Sequence, residues 1–85
     1  MRDEKNLKEL VELVQKAKNK ELVEDLILGL TTLHEREVFA HRLEIVRRLQ
    51  RGDQQHAIAT DLGVGVSTVS RGAQELAAGR FKVLK

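Results

Sequence analysis

Gln55-His56-Ala57-Ile58-Ala59-Thr60-Asp61-Leu62-Gly63-Val64-Gly65-Val66-Ser67-Thr68-Val69-Ser70-Arg71-Gly72-Ala73-Gln74-Glu75 reads as two short helices that meet at a tight turn. Ile58, Ala59 and Leu62 lie at i, i+1 and i+4, an apolar stripe on a first helix, and Gly63 follows where that helix must end in a left-handed conformation. Ala59 stands four residues before the glycine, where a second helix crossing close by leaves room only for a methyl group. Val64, Val66 and Val69 supply the apolar contacts of that second helix. A small residue, a turn glycine and a β-branched residue six positions later is the spacing of a helix-turn-helix. Ser67, Thr68 and Ser70 put short hydroxyls near the start of the second helix, followed by Arg71. Short side chains let a helix approach base edges in a major groove, and hydroxyls bond to bases or phosphates.

Composition narrows the field around this motif. A chain of 85 residues makes one domain with a small core, which a second copy would help to stabilise. Without cysteine there is neither a disulfide framework nor a zinc finger, which suits a reducing cytoplasm. No apolar run approaches the ~20 residues of a membrane span, and Met1-Arg2-Asp3-Glu4-Lys5 has no apolar segment behind it that would make a leader. A cytoplasmic protein with no membrane partner is expected. The net charge of +2 is unevenly placed: up to Leu30 six Lys or Arg face seven Asp or Glu, and from Thr31 onward nine face six. The basic excess, with Arg80, Lys82 and Lys85, thus accompanies the helix-turn-helix, as phosphate contact requires. Phe39 and Phe81 are the only aromatic residues, too few for a single-strand stacking platform, so duplex DNA is the expected nucleic acid.

In chain order, Leu7, Leu10, Val11, Val14 and Ala17 predict an amphipathic helix over about 4–18, broken at Asn19-Lys20. Leu22, Val23, Leu26, Ile27 and Leu30 begin a second apolar face. Thr32-Leu33-His34-Glu35 is a capping box opening a third helix over about 33–51, ended by Gly52. Val38, Phe39, Leu43, Ile45, Val46 and Leu49 give this strut a broad face for burial, and Arg47, Arg48 and Arg51 complement its C-terminal dipole. The last helix is expected over 67–78 with Gly79 as its stop, leaving a tail that is either a turn of helix or frayed. The fold class is all-α, one domain in which residues 4–52 dimerise, 53–78 form the helix-turn-helix and 79–85 are a short tail.

The run Glu35-Arg36-Glu37, the strut from Arg42 to Gly52, and Leu62-Gly63-Val64-Gly65-Val66-Ser67-Thr68-Val69-Ser70-Arg71-Gly72 together resemble the tryptophan operon repressor family. The resemblance spans about residues 7–76, and its most specific piece lies at Leu62 to Gly72. It implies an intertwined homodimer whose two heads face successive major grooves of a double-stranded operator, about 34 Å apart. It also implies a sequence-specific transcriptional repressor whose corepressor, L-tryptophan, is held between the strut and the second head helix. The matching positions are Arg42 and Arg71, which would sandwich the indole by cation–π stacking at ~0.5–2 kcal/mol each, with Gly72 leaving room for the ligand. Thr32, or Thr31 in another register, matches the family's capping threonine at the subunit boundary, where backbone carbonyls receive the ligand's ammonium. Glu75 replaces a serine that helps bind the same amino group; a carboxylate there can take the ammonium directly or tie up Arg71. With Lys85 as the last residue of the sequence, the family's last helix is expected to be missing or reduced to a turn at Phe81 to Leu84, and the Asp53-Gln54 connection reads as one residue shorter than the family's.

For DNA, the resemblance assigns Gln55 and His56 at the start of the first head helix and Val66, Ser67, Thr68 and Ser70 on the second. His56 stands where the family's familiar pattern has an arginine aimed at guanine, and a neutral imidazole cannot make that bidentate contact, so a different operator or softer discrimination is expected. His34 and His41 are two helical turns apart, about 10.5 Å, so no metal is expected. No cluster of nucleophile, base and orienting group points to an enzyme. Two other readings stay open: a constitutive DNA binder of the same fold with no effector, and a helical dimerisation or adaptor module.

Overall fold

The computed structural model describes residues 2–84, and among them five α-helices and one short 3₁₀ turn, with no strand: α1 (Arg2–Lys16), α2 (Lys20–Leu30), α3 (Leu33–Gln50), α4 (Gln55–Leu62), α5 (Val66–Ala77) and the turn Lys82–Leu84. The chain divides between residues 34 and 35 into two compact units. No helix among the described residues is long and apolar enough to cross a membrane.

In the N-terminal unit, α1 starts and stops two residues earlier than its periodicity predicts. Asn19 is more than a break: its extended backbone (φ −140°, ψ 167°) makes it the N-cap of α2, and its side-chain oxygen accepts from the Leu22 N–H at 2.9 Å. At the other end the Thr31 N–H and hydroxyl both donate to the Ile27 carbonyl, at 3.1 and 2.6 Å. No residue of α1 or α2 is buried within the chain, and Leu7, Leu10, Val11, Leu13, Val14, Leu22, Val23, Ile27, Leu28 and Leu30 are all exposed.

The C-terminal unit holds the core, in which Ile45, Ile58, Ala59 and Val69 are buried together, with Leu49, Leu62 and Val64 packed around them. Strut and head are thus fastened by one small apolar knot. The broad buried face expected on α3 is only partly covered: Ile45 and Val46 are 1% exposed, whereas Phe39 and Leu43 stand 45% and 36% exposed. The physical reason is that α4 and α5 are short and reach only the C-terminal half of the strut.

Gly63 terminates α4 with φ 65° and ψ 35°, the left-handed geometry that costs an L side chain ~1–2 kcal/mol. The Gly63 N–H donates to the Thr60 carbonyl at 3.3 Å and the Val64 N–H to the Ala59 carbonyl at 3.1 Å, a Schellman closure. The same pair of bonds ends α3 at Gly52 and α5 at Gly79. Both ends of α5 lie one residue earlier than expected, because the extended Gly65 (φ −71°, ψ 149°) already serves as its N-cap.

Candidate ligand cavity and nucleic-acid interface

The turn Gly63-Val64-Gly65 places α5 across α4 and fixes which side of α5 looks outward. Val69 is wholly buried, so Val66, Ser67 and Thr68 in the first turn of α5 are left exposed. His56, on the first turn of α4, is exposed as well. Two of the residues assigned to DNA are tied to each other: the Ser70 hydroxyl donates to the side-chain carbonyl of Gln55 at 2.7 Å. Their bond locks the start of α4 to α5 and uses the hydroxyl's one proton, so Ser70 in this arrangement has only acceptor capacity left.

Below the head, a charged joint fixes the connection that composition alone presented as a short loop. The Arg48 side chain is only 13% exposed; its Nε donates to Asp53 at 2.8 Å and a terminal nitrogen donates to Asp61 at 2.7 Å. Arg51 grips the same Asp53 through Nε and a terminal nitrogen. Strut, connection and first head helix are thereby stitched together by planar guanidinium groups whose fork suits carboxylates. The hydrogen bonds from Arg51 and Arg48 hold the Asp53 carboxyl well below the usual aspartate range. In return, the bond to Asp53 raises both guanidinium groups above their ordinary value, that of Arg48 also through Asp61.

Between α3 and α5 lies a cavity of about 430 Å³ lined by Arg42, Ile45, Val46, Ser67, Thr68, Arg71, Gly72, Glu75 and Phe81. That volume is within the ~300–1,000 Å³ of small-molecule sites. Four ligand candidates, Arg42, Arg71, Gly72 and Glu75, meet in it, while Thr32 belongs to the N-terminal unit. The Arg42 guanidinium sits 5.9 Å from the centre of the Phe39 ring, near the outer limit of a cation–π contact. Glu75 does not tie up Arg71: its carboxylate faces Arg80 Nε at 3.7 Å instead. Arg71 is exposed and forms no ion pair among the described residues. Gly72 has a second reason to lack a side chain, since a Cβ there would stand 3.0 Å from Ile45 Cγ2 and 3.6 Å from Leu49 Cδ1.

Sequence reasoning did not name Ile45, Val46 or Phe81 as lining residues, nor Ser67 and Thr68 in that role. The first two were within reach, because positions 42, 45 and 46 share one helical face, as do 67, 68, 71, 72 and 75. Phe81 carried no such signal, because the path of the chain beyond Gly79 is set by a turn and not by a helical period.

The model of the Trp repressor protein family matches residues 5–83. The chain belongs to the Trp repressor family. Relatives agree: a Trp operon repressor homolog of Vibrio cholerae serotype O1 is 39% identical over 69 residues, covering 80% of this chain and 67% of that protein. A homolog of Vibrio vulnificus (strain YJ016) is 38% identical over 69 residues, 80% of this chain and 68% of the other. One of Vibrio campbellii is 36% identical over 73 residues, 85% and 73% of the two chains. As a member of the Trp repressor family the chain is a DNA-binding transcriptional repressor and not an enzyme. Within it, the helix pair α4 and α5 fits a helix-turn-helix.

Proposed function

We propose that the protein is a homodimeric repressor whose operator binding is gated by L-tryptophan held in the cavity between α3 and α5. The observation that carries this reading is the meeting of Arg42, Arg71 and Glu75 around an apolar floor of Ile45 and Val46. An aromatic amino acid needs a flat apolar slot, a cation for its carboxylate and an anion for its ammonium, and this set contains each. Arg71 stacks on the indole or takes the carboxylate, Arg42 covers the other face, and Glu75 takes the ammonium in place of the family's serine.

The exposed apolar faces of α1 and α2 support the dimer, since a chain that leaves so many large apolar side chains of these helices in water needs a partner surface. His56, Val66, Ser67 and Thr68 face the major groove, with Gln55 and Ser70 holding the two head helices in register. Ser67 and Thr68 also border the cavity, so a ligand there braces the first turn of the groove-facing helix. Ligand and operator then favour each other by ~1–3 kcal/mol. The protein acts in the cytoplasm, as the family reading implies. Calorimetric titration with L-tryptophan tests the reading: heat of binding that Arg71→Ala abolishes, with duplex binding strengthened by the ligand, is expected. No heat at millimolar tryptophan, with duplex binding indifferent to it, would leave a constitutive DNA binder.

A further inference from the structure

We propose that Phe81 is a specificity-determining residue of the cavity, an aromatic wall that selects a flat ring over an aliphatic side chain in the bound amino acid. The inference rests on the corepressor reading given above. Phe81 has φ 63°, the one positive φ outside glycine among the described residues. A bulky L residue adopts that conformation only where its surroundings over-determine it.

The surroundings here do so from both sides. Gly79, at φ 89°, turns the chain back on α5, and the Arg80 N–H is bonded to the Glu75 carbonyl at 3.0 Å. The Arg80 side chain faces the Glu75 carboxylate, and beyond Phe81 the Leu84 N–H donates to the Phe81 carbonyl at 2.9 Å, closing the 3₁₀ turn. Side-chain placement across this turn is asymmetric: Val83 is 91% exposed, whereas Phe81 is half-buried and lines the cavity beside Glu75. The turn therefore spends an unfavourable backbone conformation on bringing one ring to the ligand space. With the ring in place about 430 Å³ remains, so Phe81 is a wall and not a plug. A ring beside that space adds edge or stacking contact to another ring and offers a branched aliphatic chain only ordinary packing.

The test is calorimetric titration of the full chain and of Phe81→Leu and Phe81→Gly with L-tryptophan, L-phenylalanine and L-leucine. Glycine accepts the left-handed backbone without strain, so Phe81→Gly removes the ring while relieving the turn, and its thermal midpoint separates a folding defect from a binding one. Both variants are expected to bind L-tryptophan about tenfold more weakly and to lose most of the preference for tryptophan over leucine. An unchanged tryptophan-to-leucine ratio in both variants, with tryptophan still binding the parent, overturns the role of Phe81 alone. Failure of the parent chain to bind any of the three overturns the corepressor reading and Phe81 with it.

Discussion

Replacing Gly72 by alanine sets two effects of opposite sign against each other. Position 72 is inside α5, where alanine gains about 1 kcal/mol over glycine in helix propensity. The added methyl, however, would lie 3.0 Å from Ile45 Cγ2 and 3.6 Å from Leu49 Cδ1, while carbon pairs settle at roughly 3.5–4.0 Å. Ile45 is 1% exposed and belongs to the core, so it has little freedom to withdraw. Forcing a methyl into such packing costs typically ~1–3 kcal/mol. The balance is a loss of about 0–2 kcal/mol, centred near 1, or a fall of roughly 4–8 °C in melting temperature for a domain of this size. Thermal unfolding followed by circular dichroism, without ligand and at one fixed protein concentration, measures it. In an Ile45→Ala background the clash partner is gone, and the same change should raise the midpoint. A rise caused by Gly72→Ala in the parent chain, or a penalty that persists in the Ile45→Ala background, would refute the packing argument and leave ligand clearance as the reason for the glycine.

Three further outcomes follow from the head and its joint. Ile58→Ala empties a fully buried site in a core of very few residues, and should cost ~2–5 kcal/mol in urea unfolding; a loss under ~1 kcal/mol would mean that the knot joining strut and head is unimportant. Gly63→Ala leaves space around the new methyl but keeps φ at 65°, so its expected cost of ~1–2 kcal/mol is purely conformational, and Gly63→Asn should recover part of it. Asp53 has a depressed folded-state pKa, so its contribution to stability is whole above the ordinary aspartate value near ~3.9 and fades as pH falls through and below it. Urea midpoints between pH 7 and pH 2.5 should drop more steeply for the parent than for Asp53→Asn; parallel curves would show that the joint does not feed into acid sensitivity.

Much of the helical plan was legible because each signal was local. Periodicity and composition located α1, α3 and α5 to within two residues, and Gly52, Gly63 and Gly79 each close a helix, since a left-handed residue after a helix is demanded by that helix's own unpaired carbonyls. Asn19 is a cap where the apolar pattern shows only a break, a small difference of the same local kind. Periodicity overstates the buried face of α3, because it reports which side of a helix is apolar and not how much of that side one chain can cover. Among the ligand candidates, Arg42, Arg71, Gly72 and Glu75 do line one cavity, whereas the Arg48-Asp53-Asp61 joint was not legible because partners 5 and 13 residues apart on different elements follow no period.

By itself, then, the sequence determined the all-α class and the helix-turn-helix, because these are written in spacings of a few residues that a single helix or turn must satisfy, while the run from Leu62 to Gly72 carried the resemblance to the family. Tertiary structure alone decided that Glu75 faces Arg80 and leaves Arg71 to the cavity, that Ser70 is occupied with Gln55, and that Phe81 turns inward while Val83 turns out. Each of those outcomes depends on which of several chemically acceptable partners is nearest, and nearness across separate elements is created only when the strut, the head and the final turn pack together.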